Sequence, residues 1–193
     1  FMASRRPVVT FASNFGPDSH LCFKVDLDLQ SAMISRPRRS VLFMPGDNPR
    51  AQKKASGLAA DVIILDLEDS VAPANKDKAR DQVRSTLGQH PFGRREVVVR
   101  VNRLESPWGG DDLAALSRTN PDALLLPKVE SADELFQAAV AFTAQGAPAD
   151  LSLWAMVETP RGIQNIDDIA CASRQLACLV LGTGDLASGL RLR

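Results

Sequence analysis

The sequence predicts an α/β fold built on a parallel β-sheet, and two observations support this prediction. Short apolar runs rich in β-branched residues recur along the chain, and they are apolar almost throughout, as strands buried on both faces are. Segments with helical spacing separate the runs, and helices are the usual connections between parallel strands. The predicted strands span residues 40–44, 62–67, 97–101, 123–128, 151–157 and 178–181.

The predicted helices occupy the segments between these strands. Ser131, with Glu134 three residues later, fits a capping box, and Pro49 suits the first position of a helix. Successive strands begin roughly 22 to 35 residues apart, the usual length of a βα unit, so six units fit between residues 38 and 193. The predicted helices span residues 49–59, 75–87, 111–117, 131–144 and 166–172.

Six βα units are compatible with an open doubly wound sheet and with part of a closed eight-unit barrel, which needs about 250 residues. Polar side chains favour the barrel, because they follow nearly every predicted strand and barrel strands end at one common rim. In an open sheet the ligand crevice draws mainly on strands near the switch point. The polar residues at strand ends are Asp66, Glu68, Asp69, Arg100, Asn102, Lys128, Glu130, Glu158 and Asp185.

Residues 1–37 are interpreted as an N-terminal extension that is expected to be poorly ordered, because they lack sustained periodicity. The barrel domain is predicted to span residues 38–193. Residues 2–16 contain two arginines and no acid, as mitochondrial transit peptides do, but aspartates soon follow them. We therefore expect a cytoplasmic location, with a mitochondrial one as the alternative.

Composition restricts the classes of partner and metal. The formal net charge is zero, from 23 basic and 23 acidic residues, so no global field attracts nucleic acid. Apolar runs reach about six residues, whereas a bilayer span needs roughly 18, so no membrane partner is predicted. The three cysteines form no Cys-x-x-Cys pair and only two histidines occur, so any metal is expected to be hard and oxygen-ligated.

Glu158 and Asp185 each follow a predicted strand. Neighbouring strand ends of a barrel can bring two carboxylates to one cation, and Mg²⁺ is usually held by one or two carboxylates with substrate and water. Alternatively, Glu158 caps the following helix and Asp185 satisfies backbone amides in a glycine turn. Gly182 and Gly184 lack the third glycine of a dinucleotide fingerprint, so they either allow close approach of a bound carboxylate or supply turn dihedrals.

Arg100 ends the most apolar predicted strand. A buried guanidinium must be paired or must face a polar cavity, because burying it unpaired is very costly. Its planar fork suits a substrate carboxylate or an enolate oxygen. The other interpretation is an internal ion pair with Asp66 or Glu68.

Three carboxylates, those of Asp66, Glu68 and Asp69, lie within four residues at another strand end. Like charges this close raise one another's pKa, which suits a group that accepts and returns protons. Solvation, or ion pairs with cations that follow, would explain the same cluster. Those cations are Lys76, Lys78 and Arg80.

Six motifs occur in order from about residue 38 to the end of the chain. They are Arg39-Ser-Val-Leu-Phe-Met-Pro-Gly46, Leu65-Asp-Leu-Glu-Asp-Ser-Val71 with Lys76, Ala79 and Arg80, Val99-Arg-Val-Asn102, Leu126-Pro-Lys-Val129, Glu158-Thr-Pro160 and Gly182-x-x-Asp-Leu186. Together they resemble the citrate lyase β-subunit-like branch of the HpcH/HpaI aldolase superfamily, which includes malyl-CoA lyases. The resemblance implies a (β/α)₈ TIM barrel, of which this chain holds about the first six βα units.

The resemblance also implies the site and the chemistry. Glu158 and Asp185 would bind Mg²⁺, Arg100 would hold the oxo acid, and Gly182, Asp66 and Glu68 would lie at the substrate. The expected reaction is cleavage of a citryl-, malyl- or citramalyl-thioester, carried on CoA or an acyl carrier. Its products would be an acetyl thioester and a 2-oxo acid, such as oxaloacetate, glyoxylate or pyruvate.

Several alternatives stay open within this resemblance. A malyl-CoA thioesterase or an aldolase acting on free 2-oxo acids would use the same metal site. The chain could also be a non-catalytic fragment or partner of a full-length lyase. Such enzymes are usually homo-oligomers, here expected to be a trimer or hexamer, and Arg38, Arg39 and Lys53 are available cations for CoA.

The seventh and eighth strands of such a barrel lie beyond this sequence. The first and sixth strands are therefore expected to have unpaired edges, which invite association. A C-terminal segment that can complete the site would also be absent. We expect this chain alone to be inactive or unstable.

Overall fold

The structure, a computed structural model, describes residues 37–191 and contains one sheet of six parallel strands in chain order. The strands are β1 (Val41–Pro45), β2 (Val62–Asp66), β3 (Glu96–Arg100), β4 (Ala123–Leu126), β5 (Ser152–Val157) and β6 (Leu176–Leu181). The predicted N-terminal extension lies outside the described residues except for Pro37, as does the transit-peptide-like stretch. The predicted α/β class and parallel sheet are confirmed.

Helices connect the strands. They are α1 (Pro49–Ala55), α2 (Lys76–Gln89), α3 (Gly109–Leu116), α4 (Ala132–Ala144), α5 (Pro160–Gln164), α6 (Ile166–Cys171) and α7 (Thr183–Gly189), with a 3₁₀ turn over Pro73–Asn75. All predicted strands and helices are present, with ends that differ by a few residues. The 3₁₀ turn, α5 and α7 were not predicted; the first two are too short to display a helical period, and the glycines of α7 were interpreted as a turn.

The sheet is curved, as a barrel requires. Arg38, just before β1, donates to both carboxylate oxygens of Glu96 on β3 at 2.7 and 2.8 Å, and to the Ala177 carbonyl on β6 at 3.4 Å. Its guanidinium also lies 4.8 Å from the ring centroid of Trp154 on β5. A flat sheet would separate β1 from β6 by about 24 Å. Arg38 can reach both strands only because the sheet curls, which agrees with a partial TIM barrel.

Each face of the sheet carries its own apolar core, because side chains alternate along a strand. The helices cover the outer face, where the larger core includes Ile63, Leu65, Val83, Leu87, Val99, Leu124, Leu135, Phe142, Leu153 and Ile169. The inner face carries the second core of Val62, Ile64, Val98, Ala123, Leu125, Trp154 and Met156. The inner core fills the interior of the curved sheet.

Burial on both faces was predicted for all six strands, and this is wrong for β1 and β6. Val41 of β1 is 43 % exposed and Leu181 of β6 is 55 % exposed. Within the described residues each of these strands has a hydrogen-bonded neighbour on one side only. The six strands therefore leave some apolar side chains of β1 and β6 exposed to solvent.

The start of α4 offers a test of local stability. The Ser131 hydroxyl accepts a hydrogen bond from the Glu134 N–H at 3.3 Å, while the Glu134 carboxylate accepts from Glu130 N–H, so only half of the predicted capping box forms. Ser131→Ala is expected to lower the free energy of unfolding by about 1 kcal/mol. Ser131→Asp should retain most of the stability, and equal midpoints for all three proteins in chemical denaturation would contradict the capping role.

Among residues 37–191, no helix has both the length and the apolar character needed to cross a membrane.

Candidate functional site

Strand periodicity brings three charged side chains to one rim of the curved sheet. Asp66 ends β2, Arg100 ends β3 and Glu158 directly follows β5. Each lies an even number of residues from an inner-face residue of its own strand, so all three share the inner face. The segments that follow β2, β4 and β6 add Glu68, Asp69, Lys128 and Asp185.

Arg100 forms a two-pronged ion pair with Asp66. Its Nε and Nη2 atoms donate to the two carboxylate oxygens of Asp66 at 2.7 and 2.6 Å. Burial raises the pKa of Asp66, but the hydrogen bonds and charge of Arg100 outweigh it and hold that pKa below its ordinary value. Of the two interpretations, the internal ion pair is the one present in this structure.

The remaining Arg100 nitrogen faces two more carboxylates. Nη1 lies 2.9 Å from Glu68 Oε2 and 3.4 Å from Asp69 Oδ2. Oε2 of Glu68 is buried and accepts no hydrogen bond within the described part of the chain. Burial raises the pKa of Glu68, and the Asp69 charge adds to the rise against the opposing effects of Lys128 and Arg100. Glu68 Oε2 is therefore held by the charge of Arg100 at 2.9 Å without a hydrogen bond from any described residue.

The predicted alternative, in which following cations neutralise this acidic segment, is wrong for two of them. Lys76 Nζ donates to the carbonyl oxygens of Leu67 and Glu68 at 2.7 and 2.8 Å, and to Asn102. Arg80 pairs with Asp112 of α3 at 3.1 Å. Lys76 thus fixes the main chain of the acidic loop and leaves its carboxylates to other partners.

Glu158 does not cap the helix that follows it, so that alternative is also wrong. The Thr159 hydroxyl caps α5 by accepting from the Gly162 N–H at 3.1 Å. The Glu158 carboxylate instead accepts from the main-chain N–H of Lys128 at 3.0 Å. Burial raises the pKa of Glu158, and the charges of Glu68 and Asp185 raise it further against Lys128.

Gly182 lies against the Glu158 carboxylate. A Cβ atom at residue 182 would lie 2.5 Å from Glu158 Cβ and 2.6 Å from its Oε2. Real Cβ atoms do not approach other atoms this closely, so a side chain here would displace Glu158. The glycine therefore allows close approach of a carboxylate, and the carboxylate in this structure belongs to the protein.

Asp185 lies in the first turn of α7, and its side chain is half-exposed. Its Oδ2 atom is 3.6 Å from Lys128 Nζ. The predicted glycine turn is the start of a helix. Asp185 is close enough to Glu158 for its charge to raise the pKa of Glu158.

The rim has an excess of negative charge that a divalent cation would offset. Five carboxylates face three cations, a balance of −2 if all are ionised; they are Asp66, Glu68, Asp69, Glu158 and Asp185 against Arg100, Lys128 and the nearby Lys76. Every donor is a hard oxygen, which fits Mg²⁺. Among the described residues no three acidic, histidine or cysteine side chains converge as a complete metal cage. A cation here would need substrate or water oxygens as well.

Lys128 was not predicted as a site residue, although it lies in the Leu126-Pro-Lys-Val129 motif. Its ammonium group lies 2.6 Å from the Glu68 carboxylate, and its main-chain N–H donates a hydrogen bond to the Glu158 carboxylate. Its position directly after a predicted strand indicated that Lys128 could lie at the rim. The sequence does not reveal which carboxylates its long side chain reaches.

Arg38 and Arg39, named with Lys53 as available cations for CoA, are both engaged in ion pairs away from the acidic rim. Arg38 pairs with Glu96, and Arg39 pairs with Asp61 at 2.9 Å. Both arginines precede β1, so they lie at the amino ends of the parallel strands. The acidic rim lies at the opposite end.

A model of the family described as HpcH/HpaI aldolase/citrate lyase matches residues 39–193. The chain is 47 % identical over 159 residues to a (3S)-malyl-CoA thioesterase of Cereibacter sphaeroides, covering 82 % of this chain and 53 % of the relative. It is 36 % identical over 172 residues to an L-malyl-CoA/beta-methylmalyl-CoA lyase of the same species, covering 86 % and 54 %.

A solved structure is similar in fold as well as in sequence. It is the citrate lyase beta subunit from M. tuberculosis complexed with oxaloacetate and magnesium, with a TM-score of 0.65 and 36 % identity. The match covers 80 % of this chain and 63 % of that one. The chain spans about half the length of the curated relatives that it matches.

Proposed function

The chain belongs to the HpcH/HpaI aldolase/citrate lyase family, and from this membership we propose that its protein is a Mg²⁺-dependent enzyme acting on a malyl-, citryl- or citramalyl-thioester. The proposed reaction cleaves a carbon–carbon bond and yields an acetyl thioester and a 2-oxo acid. The observation that carries the proposal is the excess of negative charge at the rim, where five carboxylates face three cations.

The charge balance argues for a cation as a partner of the substrate. A 2-oxo acid is an anion, and a rim with net negative charge would repel it. Glu158 and Asp185 are the residues proposed to hold Mg²⁺, because they follow neighbouring strands and influence each other electrostatically. When bound, Mg²⁺ would polarise the substrate oxygen as a Lewis acid.

Arg100 is proposed to bind the carboxylate of the oxo-acid portion. Its Nε and Nη2 atoms are committed to Asp66, which is buried and fixes the plane of the guanidinium. The contact between Nη1 and Asp69 is long, at 3.4 Å, and the Asp69 side chain is half-exposed. A substrate carboxylate would therefore reach Nη1 by displacing Asp69 and by competing with Glu68 Oε2, which lies 2.9 Å from the same nitrogen, while Asp66 keeps the arginine in place.

Thioester hydrolysis is the second candidate, because the thioesterase relative is 47 % identical and the lyase relative 36 %. Both reactions would use the same residues to hold the malyl group. They differ in products, since cleavage of malyl-CoA gives acetyl-CoA and glyoxylate, whereas hydrolysis gives malate and free CoA thiol.

Product analysis tests the proposal on the full-length protein with malyl-CoA as the probe. Glyoxylate formation that requires Mg²⁺ and stops with a chelator supports carbon–carbon cleavage. Free thiol without glyoxylate supports hydrolysis and overturns the lyase assignment. Absence of both products with malyl-, citryl- and citramalyl-CoA would overturn the function itself.

A glycine pair provides a sharper test of the metal-binding arrangement. Gly182→Ala is expected to weaken Mg²⁺ binding about tenfold or more, because the new methyl group would displace the Glu158 carboxylate. Gly184→Ala is the matched control, since a Cβ atom there would meet nothing within 4 Å. Calorimetric titration of both variants provides the measurement, and equal affinities would contradict a role of Glu158 as ligand.

Four properties stay predictions. They are a domain spanning residues 38–193, a homo-oligomer in the full-length protein, a CoA or acyl-carrier thioester as the substrate, and a cytoplasmic location. The inactivity or instability of this chain when it is expressed alone also stays a prediction.

A further inference from the structure

The backbone of Lys128 has an unusual conformation that helix geometry does not explain. Three described non-glycine residues have positive φ, namely His90, Lys128 and Arg191. His90 caps α2, and Arg191 follows the end of α7, where left-handed residues are common. Lys128, with φ of 51°, lies in the loop after β4. A left-handed conformation is unfavourable for a lysine, so its surroundings must favour it.

This conformation lets one residue face the site with both its main chain and its side chain. The N–H of Lys128 donates to Glu158 at 3.0 Å. Its ammonium group lies 2.6 Å from Glu68 and 3.6 Å from Asp185. These three carboxylates follow β2, β5 and β6, so Lys128 connects acids from three other strands of the rim.

We propose that Lys128 is a positioning residue that orients Glu158 through its N–H, while its ammonium group holds Glu68 and restrains cation binding at Asp185. The inference rests on the proposed function, because it takes Glu158 and Asp185 as the residues that bind Mg²⁺. It adds a residue that would set the affinity for the cation without binding it.

The main-chain N–H and the ammonium group of Lys128 would have opposite effects on the binding of a divalent cation. The N–H orients a carboxylate and is present in any residue except proline. The ammonium group repels a cation arriving at Asp185, and its side chain is only 28 % exposed, so water screens the repulsion incompletely. Removing the ammonium group would strengthen cation binding but would free Glu68, whose shortest contact is with Lys128.

The test uses two variants of the full-length protein that remove the ammonium group. Lys128→Met retains much of the side-chain length, and Lys128→Gly suits the positive φ, so at least one is expected to fold normally. Lys128→Arg retains the charge. Lys78→Met removes the same charge from an exposed position of α2 and is the matched control.

Both uncharged variants are expected to bind Mg²⁺ about three- to tenfold more tightly than wild type at low ionic strength, and this gain should shrink in salt. Their kcat should fall about tenfold or more, because Glu68 is no longer held. Lys128→Arg and Lys78→Met should bind Mg²⁺ within about twofold of wild type. Calorimetry without substrate measures the binding constants, and steady-state kinetics separates kcat from KM.

Unchanged or weaker Mg²⁺ binding by both folded variants would overturn the role of Lys128. If Lys128 had only a structural role, replacing it would lower the Mg²⁺ affinity and kcat together. Under the proposed role, replacing it raises the Mg²⁺ affinity and lowers kcat. If the wild-type protein itself binds no Mg²⁺, the metal site of the proposed function is wrong. This outcome differs from failure of the inference, in which the wild type binds Mg²⁺ and the variants bind it no more tightly.

Discussion

Replacement of Glu158 by glutamine is expected to reduce Mg²⁺-dependent turnover by at least about a hundredfold. Glutamine has nearly the same shape, and its amide oxygen can still accept the hydrogen bond that Lys128 N–H gives to Glu158 at 3.0 Å. The variant therefore keeps the local packing but loses the charge that would bind the cation. Turnover at saturating Mg²⁺ and the Mg²⁺ dissociation constant are the two measurements.

Asp168→Asn is the matched control for this experiment. Asp168 is exposed on α6, so the substitution removes one carboxylate charge away from the rim. Its turnover should equal that of wild type within about twofold, since isolated surface charges contribute little. Activity of the Glu158→Gln variant close to wild type would refute the metal assignment, and Glu158 would then be a structural acceptor for the Lys128 loop.

Replacement of Arg100 by methionine is expected to lower the free energy of unfolding by about 3–5 kcal/mol. The arginine side chain is 9 % exposed and that of Asp66 is 1 % exposed, so the variant leaves a buried carboxylate without its cation. Glu68 would lose the Arg100 contact as well. Chemical denaturation of the full-length protein measures the effect.

The double variant Arg100→Met/Asp66→Asn separates the uncompensated charge from the loss of packing. It is expected to recover a large part of the stability, because the unpaired buried charge is removed together with its partner. Recovery below about 0.5 kcal/mol would mean that the arginine stabilises the rim mainly through Glu68 or through packing.

The sign of the pH dependence follows from the pKa of Asp66, which Arg100 holds below 3.8 despite burial. A carboxyl group with a lowered folded-state pKa contributes stability above its unfolded pKa and loses it as pH falls through the folded value. The stability difference between wild type and Arg100→Met is therefore expected near neutral pH and should shrink in acid as Asp66 is protonated, first in the variant, where Asp66 has lost the cation that lowers its pKa. A difference that grows in acid would contradict the ion pair.

The sequence predicted the strands, the parallel sheet and the polar rim because these features depend on local patterns. Apolar runs of strand length identify β2 to β5, and period-two alternation places Asp66 and Arg100 on the same face as the inner core. The same patterns could not predict the short helices α5 and α7. Burial of β1 and β6 was also overestimated, because burial depends on neighbours that a run of residues does not specify.

Only the tertiary structure decided which charges meet. The sequence left Arg100 free to bind a substrate or an internal acid, and the structure pairs it with Asp66, which is 34 residues away in sequence. Sequence reasoning left Lys76 open as one possible partner of the acidic segment, but in the structure Lys76 binds main-chain carbonyls and Lys128 reaches the Glu68 carboxylate. Contacts of this kind depend on strand order and curvature, which bring together residues that no local pattern relates. The sequence alone determined which residue types lie at the rim, and the folded sheet determined their partners.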